Sequence, residues 1–167
     1  DAENAVIVDV EATPARTYDE VAATKTMIER TRARHNLKPK RLIADTAYGT
    51  GKFLAFVVGA GITPHIPVWD KSTREDGTFS RSDFHWDKKK NVYTCPAGKV
   101  LTTTGHVSSD HAVRYVASVP DCRACSLKPK CCPNMPARRV VRDVNEDARD
   151  VARRKMRTKA FAKSRDE

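Results

Sequence analysis

Five cysteines fall in a pattern that metal chemistry can use. Cys95 opens a C-P-x-G turn, Cys122 and Cys125 form a C-x2-C pair, and Cys131 follows with Cys132 beside it. A C-x2-C turn brings two thiolates onto one tetrahedral ion. Cys95, Cys122, Cys125 and Cys131 therefore make a four-ligand zinc set, with His106 and His111 as alternative ligands and only one of Cys131 and Cys132 needed. Four protein ligands close the coordination sphere, so such a zinc is structural rather than catalytic. Reduced thiols in a small core, or disulfide and redox use, are the competing readings.

Asp45 is the second residue with a chemical position. It ends the apolar run RLIAD, and open α/β sheets place functional groups where their strands end. The competing reading is an aspartate that caps the turn or the following helix. Metal-dependent phosphoryl transfer needs two or three convergent carboxylates around ions about 3.5 to 4 Å apart, so Asp45 alone is one part of such a site. Arg149, Arg153 and Arg157 recur every four residues and would share one helix face, suited to a phosphate backbone or simply solvated. Trp69, Phe84 and Trp86 lie near Lys88, Lys89 and Lys90. They could stack on unpaired bases, but the core of a small hairpin is the favoured reading. His35, His65 and His85 have no partner at a meaningful spacing and read as packed or surface residues.

The elements that must carry these residues emerge from the patterning. Residues 5–11 (AVIVDVE) read as a partly buried strand. Thr17 and Glu20 form a capping box for a helix over residues 18–35, whose late arginines suit the helix dipole. Residues 41–45 read as a buried strand, 52–58 as a helix, and 62–68 as a short or edge strand because of its two prolines. Strand, helix, strand, helix, strand favours a layered α/β sheet with parallel strands. After Trp69 the texture changes to a small module: a hairpin over residues 84–93 turning at 87–91, a turn at 96–98, strands at 100–104 and 112–119, and then the cysteines. A strand at 139–144 precedes a helix from Glu146 to about Ala162, capped by Asn145, with Ala148, Val151, Ala152 and Met156 inward and Arg149, Arg153, Arg154 and Arg157 outward.

Charge narrows the partners. The net charge is +10, and between residues 67 and 140 basic side chains outnumber acidic ones by 13 to 7. A basic surface attracts polyanions, which makes nucleic acid the default partner. No stretch approaches the roughly 18 apolar residues of a membrane span, and the first residues do not form a signal peptide. A cytosolic location is expected, where thiols stay reduced and paired cysteines point to metal.

The words around Asp45 resemble a known family. RLIADTAYGTGKFLAF is similar to the second conserved block of DDE-type insertion-sequence transposases, in which a strand-ending aspartate is followed by a Gly-containing turn with a tyrosine three residues on: here Asp45, Tyr48 and Gly49. Upstream, DAENAVIVDVEATPARTYDE resembles the family's strand and helix start, with Thr13, Ala15 and Asp19 in matching places. The cysteine words resemble a subgroup with a cysteine-containing insertion before the final catalytic helix.

The resemblance implies an α/β fold: an incomplete ribonuclease H-like mixed sheet with flanking helices, interrupted by a small β-rich zinc-type insertion. It divides the chain into a partial core (1–68), the insertion (69–139), and a return to the core with a basic, truncated last helix (140–167). It further implies that Asp45 is a catalytic ligand of Mg2+, with the first aspartate upstream and the glutamate downstream, so that this stretch alone is inactive. The implied partner is DNA, as transposon ends and target, with a homodimer the assembly expected of the intact protein. The rival readings are a non-enzymatic zinc-stabilised nucleic-acid-binding module and an inert transposase remnant.

Overall fold

The computed structural model describes residues 4, 6–14, 19–70 and 74–165. In chain order the elements are α1 (Asp19–His35), β1 (Arg41–Ile43), α2 (Gly51–Gly59), β2 (Thr63–His65), β3 (His85–Asp87), β4 (Val92–Thr94), β5 (Val100–Thr102), β6 (Ala112–Ala117), α3 (Val119–Arg123), α4 (Lys128–Cys131), β7 (Arg139–Asp143), α5 (Glu146–Met156) and α6 (Lys159–Lys163). They form two compact units, one comprising Asp1–Trp69 with Asn145–Glu167 and the other Asp70–Val144.

The first unit is built on a β-α-β step. β1 and β2 pair in parallel, with Arg41 opposite Thr63 and Ile43 opposite His65, and α2 connects them. Thr50 starts α2 by accepting a hydrogen bond from the Phe53 N–H at 3.3 Å, satisfying one of the donors that a helix start leaves free. Phe53, Leu54 and Val57 of α2 are buried with Ile62, Ile66 and, from α5, Ala148 and Ala152. The two alanines present little bulk where α5 lies on α2.

Helix α1 has acidic residues Asp19 and Glu20 in its first turn and Arg32, Arg34 and His35 in its last, the arrangement its dipole favours. It ends at Asn36, whose φ of 51° is a left-handed conformation that asparagine tolerates better than most residues. Tyr18 and the Thr17 half of the expected capping box lie outside the described residues.

Two expectations for this unit are corrected. Residues 6–14 form no strand, and Ala5 lies outside the described residues. A strand needs a paired neighbour, and among the described residues this sheet holds β1 and β2 alone. Ile7 is instead 81% exposed, while Asp9 and Glu11 are held by Arg30 of α1. The single helix expected over residues 146–162 is two helices. α5 stops at Met156, itself exposed, and Thr158 starts α6 by accepting from the Phe161 N–H at 3.2 Å.

The second unit is an antiparallel sheet in the order β3-β4-β5-β6-β7, each strand beside its sequence neighbour. The expected hairpin is present, with His85 opposite Thr94 and Asp87 opposite Val92. The strands alternate as one-sided sheets do. Tyr93, Leu101, Tyr115, Ala117 and Val140 are buried, whereas Val100, Thr102, Arg114, Val116, Arg139 and Val141 face outward and are exposed. Cys122 of α3 and Cys131 of α4 join the buried side. Trp86 stacks against Tyr93 and Tyr115, with ring centroids 4.9 and 5.3 Å apart, and Phe84 is buried with them, so these aromatics form the core of the sheet.

Candidate active-site carboxylate and thiol cavity

β1 delivers Asp45 just beyond its C-terminal end. Asp45 then begins a 3-10 turn over Thr46–Tyr48, its Oδ1 accepting from the Ala47 N–H at 2.8 Å. The capping reading of Asp45 is thus realised. The cap fixes one oxygen, while the other has no hydrogen-bond or ion-pair partner among the described residues, and the side chain is exposed. A carboxylate held at one oxygen and open at the other is oriented and still able to bind a cation.

The turn is tied down from beneath by Gly49. This glycine is buried, its carbonyl accepts from the Trp69 N–H at 3.1 Å, and a Cβ on it would stand 2.0 Å from the Pro67 carbonyl oxygen. Only glycine lets the turn approach the chain leaving β2 this closely. Tyr48 completes the support by packing edge-on against Phe53, with centroids 5.5 Å apart.

Among the described residues no three His, Cys, Asp or Glu side chains stand in an arrangement that would hold a metal ion. Asp45 offers a hard oxygen donor of the kind Mg2+ prefers.

The arginine stripe of α5 lies differently from the expected outward face. Glu146 is 1% exposed and pairs with Arg153 at 2.7 Å and Arg149 at 3.5 Å. Arg149 also donates to the Trp69 carbonyl at 2.7 Å, and Arg153 to Asp150 at 2.7 Å. Arg149 and Arg153 are therefore largely engaged, whereas Arg157 is exposed at the end of the helix. Sequence reasoning did not single out Glu146. Its signal was the spacing of Glu146, Arg149 and Arg153, which share one helix face. His65, also buried, bonds Ser164 through Nδ1 at 2.6 Å and lies against Phe161, whereas His35 and His85 are on the surface.

In the second unit all five cysteines line one cavity, and none is bridged. Cys95 comes from the predicted turn: Gly98, with φ 74°, donates to the Cys95 carbonyl at 2.8 Å, and the Lys99 N–H points at Sγ of Cys95 at 3.3 Å. Helix α3 brings in Cys122, the turn after it Cys125, and α4 Cys131 with Cys132 at its end. Burial, reinforced by Cys132, pushes the Cys131 thiol up to about 11. His106 and His111 are exposed and do not line the cavity. The thiols are thus gathered at one place but are not arranged as ligands around one point.

Sequence reasoning also passed over Arg138, which lines the same cavity. It is 5% exposed, donates to the Cys131 carbonyl at 2.8 Å and the Phe79 carbonyl at 2.7 Å, and lies 4.9 Å over the Phe84 ring.

With these features in place, comparison with known proteins defines the class. The family model described as "Transposase DDE domain" matches residues 1–159, and the chain belongs to that family. No curated protein and no solved structure matches it. The mixed α/β architecture, with helices and a curled antiparallel sheet, is compatible with an α/β transposase domain. No helix among the described residues is long and apolar enough to cross a membrane.

Proposed function

We propose that this chain is the part of a DDE insertion-sequence transposase that supplies Asp45 to a ribonuclease H-like active site, cleaving and joining phosphodiester bonds at transposon ends and target DNA. The observation that carries the reading is the Asp45 carboxylate, fixed at a strand end through one oxygen and open at the other, in a chain of the transposase family. Bound Mg2+ would stabilise charge developing on the phosphate and activate the attacking hydroxyl. The contribution of the chain's own residues is positional. β1 and Gly49 set the height and direction of Asp45, and its open oxygen is the donor a cation would take. Further carboxylates must complete the set. In this reading the first unit is the partial ribonuclease H-like core and the cysteine-bearing unit is the insertion. Four of its cavity-lining thiols, those of Cys95, Cys122, Cys125 and Cys131, are the donors of a structural zinc in this reading, and DNA lies against its basic surface and against Arg157.

Asp45→Asn, introduced into a transposase carrying this segment, tests the reading. Strand cleavage with Mg2+ should fall by at least about 100-fold, as expected for loss of a metal ligand, while binding to transposon-end DNA stays within about threefold. Cleavage retained within a few-fold would sink the assignment. A non-enzymatic zinc module, favoured only by the thiol cavity and the basic insertion, predicts the same DNA binding with no cleavage in either protein.

A further inference from the structure

The antiparallel sheet carries its core on one face, while Val100, Thr102, Arg114, Val116, Arg139 and Val141 stand exposed on the other. The register sets the pattern there. In β6 and β7, Arg114 lies opposite Val141 and Val116 opposite Arg139, and Thr102 of β5 lies beside Val116. The two arginines are therefore diagonal neighbours, about 7 to 8 Å apart at the backbone, on one side of a two-stranded ribbon. Neither has a hydrogen-bond or ion-pair partner among the described residues. Two acids share the outward positions. Asp87 accepts from the Lys90 N–H at 3.0 Å and so shapes the β3-β4 turn, and Asp143 lies opposite Ala112 at the end of β7. Neither pairs with Arg114 or Arg139. The β3-β4 turn presents Lys89 and Lys90, both exposed. Because Tyr93 pairs with Leu101 and Leu101 with Ala117, that turn lies toward the same end of the sheet as Thr102, Val116, Arg114 and Arg139.

Side-by-side cations repel each other, and a polyanion relieves that repulsion. A second copy of the chain, packed about a two-fold axis, would instead bring the same basic patch onto itself. Duplex DNA fits in shape as well as charge. Its major groove admits a two-stranded β-ribbon, arginine donates in pairs to guanine O6 and N7, and apolar side chains pack on the thymine methyl group. We propose that the outer face of β6 and β7 is a major-groove reading surface for duplex DNA. Arg114 and Arg139 meet base edges, Val116 and Val141 meet apolar base surface, and the Lys89–Lys90 turn meets phosphate. The inference rests on the DNA-binding reading given above and adds to it where and how the cysteine-bearing unit meets DNA.

The test selects, on the chain of residues 1–167, from a duplex pool with a randomised centre. Affinity for the enriched duplex and for a shuffled counterpart is then read by fluorescence anisotropy at fixed salt, since phosphate contacts make binding salt-dependent. The expected result is an enriched site containing guanine, with binding blocked by methylation at guanine N7. Arg114→Gln and Arg139→Gln should each weaken the enriched duplex by at least about fivefold, and the shuffled one less. Arg114→Lys, which keeps the charge without the paired donors, should restore binding to the shuffled duplex but not the preference. Arg123→Gln removes an exposed arginine from α3, the helix whose Cys122 joins the core, and should change binding by less than about twofold. If the unaltered chain binds no duplex, the DNA reading falls and this face with it. If it binds and both glutamine variants bind equally well, the DNA reading stands and the face is overturned. Displacement of the duplex by polyglutamate at equal charge would make an acidic polypeptide the occupant and overturn the assignment. Indifference to N7 methylation overturns the groove-reading role, and because that measurement uses the unaltered chain it decides even where a variant fails to fold.

Discussion

At the scale of single residues, the position of Asp45 depends on an atom that is not there. A methyl group on Gly49 would meet the Pro67 carbonyl oxygen at 2.0 Å and the Trp69 nitrogen at 2.6 Å, both backbone atoms that cannot swing aside. Gly49→Ala must therefore move the turn or the chain after β2. The expected cost is about 2 to 4 kcal/mol in chemical denaturation, and a cost below about 0.5 kcal/mol would show that the turn is not held as described. Arg30 acts on a different segment by clamping Asp9 through two bonds of 2.7 and 2.9 Å. The hydrogen bonds from Arg30 hold the Asp9 carboxyl below its usual 3.8. A depressed carboxylate contributes stability that is present above its unfolded pKa and lost as pH falls through its folded value. The tether between residues 6–14 and α1 should accordingly release only in acid, below pH 3.8. Carboxyl NMR titration checks this, since Asp9 in Arg30→Met should titrate closer to its ordinary value than it does in the parent chain. These residue roles differ in how readable they were. Asp45 and the cysteines could be found from local spacing. Gly49, Glu146 and Arg138 acquire their roles from groups distant in the sequence or from burial, which no short word in the sequence records.

At the scale of elements, patterning located α1, α2, β1, the β3-β4 hairpin and the strands of the antiparallel sheet, because each carries its period or its turn residues locally. It failed at residues 6–11, where a β-prone run has no neighbour among the described residues to pair with, and at Arg157, where helical composition continues through a break. The break arises from the Thr158 side chain, which caps a new helix rather than continuing the old one. Removing that cap with Thr158→Ala should cost about 1 kcal/mol. The loss should appear as faster amide exchange in α6, whose Phe161 packs on His65, with α5 unchanged. Uniform exchange across both helices would mean that they behave as one. Helix α1 offers the contrasting case. It matches its expected bounds closely yet buries no residue, so its composition and dipole pattern made it legible while its packing holds it least.

At the scale of the whole molecule, the two units have separate cores, and one is inserted into the sequence of the other. The first draws Phe53, Leu54, Val57, Ile62 and Ile66 together with Ala148 and Ala152 across the inserted stretch; the second closes its own core around Tyr93, Leu101, Tyr115 and Val140. Within the first unit the two chain segments that flank the insertion are joined directly, since Arg149 donates to the Trp69 carbonyl and also pairs with buried Glu146. A short bridge should therefore replace residues 70–144 without dismantling α2, β2 and α5, because loop closure depends only weakly on length once the ends are held close. The excised stretch should likewise fold alone, since a unit with its own core meets the requirement for a domain. Circular dichroism should show a cooperative helical transition for the bridged first unit and a separate β-type transition for residues 70–144. Loss of cooperativity in the bridged unit, with the isolated sheet still folded, would show that the insertion does more than interrupt the core.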